Sequence, residues 1–176
     1  MASEGRWEDV MVQVRVAAIA LDQSGQHVIL LKPVDAEPGQ GRILPIWIGA
    51  QEATSILIAV EGAATSRPLA HDLMRSMLES LGAEVDRVEV TRIDDGTFYA
   101  EVGLHAGGGD LRIDARPSDA VALASRTAAP IWVADEVFEE AGVPDMTLAG
   151  DEAGAEENVE EFKRFLEEVD PEDFRE

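Results

Sequence analysis

The fold depends on one short stretch, residues 113–124, whose sequence is IDARPSDAVALA. Pro117 disfavours helical geometry at Arg116, because the proline ring clashes with the backbone of the residue before it. The proline itself suits a first helical turn, where its missing N–H is not needed. The stretch therefore predicts a strand, a bend at Arg116, and a helix whose first turn holds Ser118 and Asp119.

A second corner of the same kind occupies residues 67–73, with the sequence RPLAHDL. Here Arg67 precedes the proline, and His71 and Asp72 follow within the predicted first helical turn. Arginine is a bidentate ligand for phosphate, and the unperturbed pKa of histidine lies near neutral pH. We therefore expect the two corners to lie together and to line one solvent-accessible hollow.

The patterns around these corners predict an α+β fold, with a mixed, largely antiparallel sheet packed with helices in a single compact domain. The glycine run at residues 107–109 predicts a hairpin, because it lacks the spacing of a phosphate-binding loop. Strands are predicted at residues 10–21, 27–34, 43–49, 85–93, 97–105, 111–115 and 130–134. Helices are predicted at residues 50–61, from the first corner to 81, from the second corner to about 127, and in a short segment that ends at 140.

Two of the predicted helices are amphipathic. In the helix after the first corner, apolar side chains recur every four residues, as on a single helix face; these are Leu69, Leu73, Met77 and Leu81. Near the C-terminus, apolar side chains at spacings of three and four residues predict an acidic amphipathic helix over residues 155–176. An exposed linker is predicted to join it to the domain, over residues 144–154.

Length and composition limit the class of protein. A chain of 176 residues is long enough for one domain with a proper core. The absence of cysteine excludes disulfides, thiolate nucleophiles and cysteine zinc sites. No apolar run approaches the ~20 residues that a membrane helix needs, and no secretory signal is visible. We therefore predict a cytoplasmic protein with no membrane partner.

The net charge of −22 is distributed unevenly. Residues 1–130 hold 11 Lys and Arg against 19 Asp and Glu, a charge of −8, and residues 131–176 hold 3 against 17, a charge of −14. An acidic surface disfavours simple electrostatic binding of nucleic acid. The main body is only mildly acidic, however, and its cations are mostly arginine, the better bidentate phosphate ligand. The charge therefore leaves a nucleic-acid partner open.

Five segments together carry a family resemblance. They are LPIWIG at 44–49 with Glu52, RPLAHDL at 67–73, GTFYA at 96–100, DARPSDA at 114–120 and PIWV at 130–133. In this set and order the chain resembles the bifunctional nuclease family, over roughly residues 11–141. The resemblance implies an α+β domain at residues 1–143, a homo-oligomer, and activity against both DNA and RNA as substrates.

Residue roles follow from the chemistry of phosphodiester hydrolysis, which needs an activated water and stabilisation of charge on the phosphoryl oxygens. Asp114 and Asp119 are predicted to hold a divalent metal, Mg²⁺ or Mn²⁺, since such ions take one or two carboxylates and fill their other positions with water and phosphate. His71 is the predicted general base or acid. Glu52 completes the predicted catalytic set.

The predicted phosphate ligands are Arg67 and Arg116, in bidentate geometry, with Ser118 and Thr97 beside them. Tyr99 is a further candidate for the site.

Several residues of the two corners also have a purely structural interpretation. Asp72 and Asp119 favour the helix dipole at a helix start. Arg116 and Asp114 can form an ion pair that holds the corner, and His71 can be a partly buried histidine with its hydrogen bonds satisfied. The alternative hypothesis is therefore a non-enzymatic, acidic interaction or regulatory module whose polar cluster is structural.

Overall fold

A computed structural model describes residues 11–146 of the protein. The strands in this range are β1 (Met11–Leu21), β2 (His27–Pro33), β3 (Arg42–Ile48), β4 (Glu84–Asp94), β5 (Thr97–Ala106), β6 (Gly109–Ala115), β7 (Ile131–Ala134) and β8 (Val143–Pro144). The helices are α1 (Ala50–Glu61), α2 (Ala70–Ser80), α3 (Pro117–Thr127) and α4 (Asp135–Ala141). The predicted acidic C-terminal helix lies outside the described residues.

The strands form one sheet in the order β6-β5-β4-β7-β1-β2-β3-β8. Neighbouring strands are antiparallel except β4 and β7, which are parallel. The β5–β6 hairpin turns at Gly107 and Gly108, whose φ angles of 60° and 78° favour glycine. The predicted α+β fold with a mixed, largely antiparallel sheet is therefore confirmed.

The main core lies between the sheet and the helices. It joins alternate strand side chains, such as Leu31 and Val90, to Ile56 of α1 and Val121 of α3. Small apolar residues in α3 let this helix lie close to the sheet, and residues 120–124 are all buried. Helix α3 thus forms the platform on which α1 and α2 are placed.

The two proline corners determine where helices α2 and α3 begin. Arg116 is extended, with φ −69° and ψ 144°, and Pro117 is the first residue of α3. At the first corner, α2 begins at Ala70 after an extended Leu69, two residues beyond Pro68. The two corners therefore place the N-terminal turns of α2 and α3, and α2 packs on α3.

The apolar stripe of α2 faces outward. Leu73 and Met77 are each 56% exposed and Leu81 is 79% exposed. Together with Ile113 of β6, Met77 and Leu81 line an open apolar groove. Helix α2 turns its polar side, with His71 and Asp72, toward α1 and α3 instead, because those side chains form hydrogen bonds there.

The segment predicted to begin the exposed linker belongs to the fold. Val143 and Pro144 form β8, which pairs with Arg42 and Ile43 of β3. Asp145 is buried and forms an ion pair with the ammonium of Lys32, which is itself 2% exposed. The predicted linker start at residue 144 is therefore at least two residues too early, because Pro144 belongs to β8 and Asp145 is buried in an ion pair.

No helix within residues 11–146 is both long enough and apolar enough to span a bilayer.

Candidate active site

Helices α1, α2 and α3 bring a serine, a histidine and an aspartate into one hydrogen-bonded chain. Ser55 Oγ of α1 lies 2.8 Å from His71 Nδ1 of α2. His71 Nε2 lies 2.9 Å from Asp119 Oδ1 of α3. Ser55 is 5% exposed and His71 is 6% exposed, so the interior of this chain is shielded from bulk water.

The direction of these hydrogen bonds follows from the ionisation of Asp119. Burial raises the pKa of Asp119, but the hydrogen bonds from Arg116 and His71 lower it by more, and the net pKa lies below the ordinary value. An ionised carboxylate only accepts hydrogen bonds, so His71 Nε2 carries the proton. In a neutral imidazole Nδ1 is then an acceptor, and Ser55 donates its hydroxyl hydrogen to it.

Arg116 closes the other side of the cluster. Its Nε donates to Asp119 Oδ2 at 2.8 Å, and its Nη2 donates to Glu52 Oε1 at 2.9 Å. The hydrogen bond to Asp119 is the main cause that raises the pKa of Arg116, and that to Glu52 adds to it. Among residues 11–146, these two bonds leave Nη1 for a further anion, and the side chain is 54% exposed.

Glu52 lies where it does because Gly49 has no side chain. Glu52 is in the first turn of α1, and its carboxylate folds back over Gly49, which caps that helix. A Cβ atom at residue 49 would overlap the Glu52 carboxylate. The LPIWIG segment with Glu52 therefore describes a physical unit, in which the final glycine makes room for the acid that holds Arg116.

These groups line one open hollow of about 670 Å³, which we call the His71 hollow. Its charged residues are Glu52, Arg116 and Asp119, two carboxylates against one guanidinium. The hollow thus contains a hydroxyl next to an imidazole, and an arginine whose Nη1 is not used by the two bonds above. Its net negative charge does not attract a polyanion.

Three predicted site residues lie elsewhere. Asp114 pairs with Glu101 of β5 and does not line the His71 hollow; with Asp119 it borders the apolar groove between α2 and β6. Ser118 is completely buried, out of reach of a substrate phosphate. Thr97 begins β5, three residues before Ala100, which pairs with Ala115 at the end of β6. It does not line the His71 hollow.

The ring of Tyr99, the further candidate for the site, packs against the guanidinium of Arg92. The guanidinium carbon of Arg92 lies 3.4 Å from the centroid of the Tyr99 ring. The aromatic face is therefore already covered by a cation from the neighbouring strand.

The two arginines of the proline corners do not share a hollow. Arg116 lines the His71 hollow, whereas Arg67 lines a second one of about 490 Å³. We call this second space the arginine hollow; its charged residues are Arg67, Asp72, Arg75 and Arg126. The expectation of a single hollow is therefore correct for His71 and Asp119 and wrong for the arginine pair.

His71 and Asp72 face different partners, as expected for neighbours on a helix. Asp72 accepts hydrogen bonds from Leu69 N at 2.8 Å and from Arg126 Nε at 2.8 Å. Its backbone bond with Leu69 is the main cause that lowers its pKa, and the bond from Arg126 adds to this. Asp72 therefore anchors the start of α2 on α3.

The described side chains do not fit the predicted metal pair. Both oxygens of Asp119 already accept hydrogen bonds, and Asp114 lines the apolar groove but not the His71 hollow. In the part of the chain that the structure describes, no group of three or more His, Cys, Asp or Glu side chains is placed to bind a metal ion. The His71 hollow itself offers a hydroxyl, an imidazole and a guanidinium.

Ser55 is the site residue that sequence reasoning missed. A serine inside an apolar helix carries no local signal of function. The one available clue is its spacing, because Ser55 follows Glu52 by three residues and so shares a helix face with it.

The comparison with known families decides what kind of protein carries this site. The profile of the bifunctional nuclease domain matches residues 28–146, which include both proline corners and the complete His71 hollow. The chain belongs to the bifunctional nuclease domain family. The family resemblance noted in the five sequence segments is thereby confirmed.

Relatives of two kinds share this domain. Uncharacterized protein Rv1829 of Mycobacterium tuberculosis is 38% identical over 169 residues, covering 94% of this chain and 99% of its own length. Bifunctional nuclease 1 of Arabidopsis thaliana is 30% identical over 115 residues, covering 64% of this chain and 34% of its own length. Bifunctional nuclease 1 of rice is 29% identical over 115 residues, with the same coverage. The matched segment therefore spans about a third of the length of each plant protein.

Proposed function

We propose that this protein hydrolyses phosphodiester bonds of both DNA and RNA, and that the His71 hollow is where the bond is cut. Two observations support the proposal together: the membership of a family that includes proteins named bifunctional nuclease, and the hydrogen-bonded chain Ser55–His71–Asp119. The second observation carries the mechanism, because it supplies a hydroxyl, a base and a carboxylate that orients the base.

Ser55 is the proposed nucleophile. Both ring nitrogens of His71 are engaged within residues 11–146, Nδ1 with Ser55 and Nε2 with Asp119. The hydroxyl that His71 is placed to deprotonate is therefore that of Ser55. As the proton passes to His71 Nδ1, a bond forms between Ser55 Oγ and phosphorus, and the bond from phosphorus to the leaving oxygen breaks.

His71 then returns the proton to the leaving oxygen, which departs as a hydroxyl end of the cut strand. A water molecule, deprotonated by the same imidazole, then attacks the phosphorus that joins Ser55 to the rest of the strand. The bond from phosphorus to Ser55 Oγ breaks, the imidazolium returns the proton to Oγ, and the strand leaves with a phosphate end. Asp119 holds the imidazole in the required tautomer throughout and stabilises its charged form. Because the attacking group comes from the protein, the 2′-hydroxyl of RNA is not needed, so the same side chains serve DNA and RNA.

Arg116 is the proposed ligand of the reacting phosphate. Its Nε and Nη2 are held by Asp119 and Glu52, which orients a guanidinium that lines the hollow and leaves Nη1 for the phosphate. A guanidinium held in place before the reaction stabilises charge on the phosphoryl oxygens without reorganising.

The test compares Ser55→Ala and His71→Gln with wild type on single-stranded DNA and RNA of equal length. Each variant is expected to lower the cleavage rate on both substrates by about 10²–10⁴-fold, since the residues act as a unit. Ser80→Ala is the matched control, because its hydroxyl donates to Ser76 O on the exposed side of α2. Activity in a purified Ser55→Ala or His71→Gln protein equal to wild type would rule out this mechanism.

A chelator arm of the same experiment addresses the predicted divalent metal. The proposed steps use protein side chains alone, so cleavage is expected to persist at an unchanged rate in excess EDTA. Complete loss of cleavage with EDTA and its recovery with Mg²⁺ or Mn²⁺ would show that the nucleophile is a metal-activated water and not Ser55.

A non-enzymatic interaction module is the competing proposal, and the burial of Ser55 and His71 favours it. A buried network in which each polar group has a partner stabilises a fold without any chemistry. Under this alternative, His71→Gln lowers the melting temperature and leaves the cleavage rate at the level of Ser80→Ala.

A further inference from the structure

We propose that the arginine hollow is a second phosphate-binding site, which holds a backbone phosphate of the nucleic acid next to the one that is cut. The proposal rests on the nuclease function proposed above and supplies the substrate affinity that the His71 hollow lacks.

The need for such a site follows from the charges in the His71 hollow. Two carboxylates, Glu52 and Asp119, outnumber the single Arg116 there, and both bind that arginine directly. Affinity for nucleic acid depends on cations that neutralise phosphates. The cations that retain the substrate must therefore lie outside the His71 hollow.

The arginine hollow provides them. Arg67, Arg75 and Arg126 line it against one carboxylate, that of Asp72. Both oxygens of Asp72 are already used, one by Leu69 N and one by Arg126 Nε. Three guanidinium groups with a single committed acid leave this hollow electropositive.

Two of these guanidinium groups have buried N–H donors that lack an acceptor. The Arg126 side chain is 3% exposed; Nε and Nη1 donate to Asp72 and to Ala122 O, but within residues 11–146 Nη2 has no hydrogen-bond partner. Arg75 Nε is likewise buried without a hydrogen-bond partner, although it forms an ion pair with Glu79 at 3.7 Å, and Arg75 Nη1 donates to Arg126 O at 3.5 Å. An unsatisfied buried donor is costly, so these atoms favour a ligand that brings acceptors.

A phosphate group matches this arrangement better than other anions. It offers several acceptor oxygens, and arginine binds it in bidentate geometry. The hydroxyls of Thr65, Ser76 and Ser125 already donate to backbone carbonyls, so recognition rests on the guanidinium groups.

The position of the hollow fits a continuous strand of nucleic acid. Ile58 lines both hollows. His71 and Asp72 are consecutive residues, one in each hollow, so the two spaces lie on either side of the first turn of α2. A single strand can therefore place one phosphate at Arg116 and a neighbouring phosphate at Arg67 and Arg75.

The test measures binding of a fluorescent hexathymidylate with phosphorothioate linkages, which keep the charge and resist cleavage, to full-length protein at several salt concentrations. Arg67→Gln and Arg75→Gln are expected to weaken binding about tenfold each. Each should also reduce the slope of log K against log[salt] by about 0.7, the contribution of one phosphate of a single strand. Arg15→Gln is the matched control: Arg15 is exposed, and it lies on the sheet face away from the helices because the adjacent Val14 belongs to the core between them.

A cleavage assay on the same variants separates this proposal from the nuclease function. The expected pattern is a raised KM with kcat nearly unchanged, which indicates lost binding rather than lost chemistry. If wild type cleaves while Arg67→Gln and Arg75→Gln match Arg15→Gln in affinity and salt slope, the second site is wrong and the nuclease function stands. If the two variants alone lose binding and no protein cleaves, the site stands without the nuclease function.

Discussion

His71 Nε2 and Asp119 Oδ1 lie 2.9 Å apart although 48 residues separate them in the chain. Each belongs to the helix that follows one of the two arginine–proline corners. The corners therefore act as a pair: Pro117 begins α3, Pro68 lies two residues before the start of α2, and the two helices bring the members of the hydrogen bond together. The proposed chemistry depends on this contact.

Gly49→Ala tests how Arg116 is held. The backbone at residue 49 has φ −70°, which alanine adopts without strain, but the new Cβ would displace the Glu52 carboxylate. We expect the cleavage rate to fall between about 10-fold and 100-fold, because a small misplacement of a phosphate ligand is costly. Gly109→Ala is the control, since its nearest neighbour would be Ala106 O at 4.0 Å. Equal activity of the two variants would show that Glu52 does not position Arg116.

The pH dependence of stability tests the role of Asp72. The hydrogen bonds from Leu69 and Arg126 lower the pKa of Asp72 in the folded protein. A carboxyl whose folded pKa is depressed adds stability above its unfolded pKa of about 3.9, and this contribution is lost as the pH falls through the folded value. Asp72→Asn should therefore lower the melting temperature at pH 7 and reduce its fall between about pH 5 and pH 2. An Asp94→Asn control, at an exposed position, should follow wild type; an unchanged Asp72→Asn profile would contradict the anchoring role.

Deletion of residues 151–176 tests the effect of the acidic C-terminal segment on substrate binding. This segment holds 12 Asp and Glu against 3 Lys and Arg, so its removal changes the net charge from −22 to −13. Less repulsion should strengthen binding of single-stranded DNA at low salt. The gain should disappear near 1 M salt, where the screening length is about 3 Å. Fluorescence anisotropy measures both; unchanged or weaker binding at low salt would show that the segment does not repel the substrate.

Much of the architecture could be predicted from local patterns in the sequence. The β1–β2 hairpin, the helix Ala50–Glu61 and the bend at Arg116 follow from alternation, apolar runs and the geometry of proline. The outward face of α2 could not be predicted in this way. Its apolar stripe is typical of a buried face, but three polar side chains, His71, Asp72 and Arg75, lie on the packed side.

The candidate site was predictable only in part, for a related reason. Charged residues near a proline corner are visible in the sequence, which is why the sequence predicts His71, Asp119 and Arg116 as site residues. The side of the sheet on which a strand residue lies depends on register, and one position separates Ile113, on the helix face, from Asp114. Ser55 depends on the packing of α1 against α2, which no local pattern describes.

The predicted homo-oligomer remains a prediction. The open apolar groove between α2 and β6, with Met77, Leu81 and Ile113 exposed, is the face that we expect a second copy to cover.

The most direct measurement is the cleavage rate of Asp119→Asn beside that of Asp114→Asn, on the same DNA and RNA. Both changes remove one negative charge from residues five apart at the same corner. The proposed function predicts that Asp119→Asn loses about 10²–10⁴-fold in kcat/KM, because His71 loses the carboxylate that sets its tautomer. It predicts that Asp114→Asn, outside the His71 hollow, stays within about twofold of wild type. Equal losses in both variants, or a larger loss for Asp114→Asn, would contradict the assignment of the site to the His71 hollow.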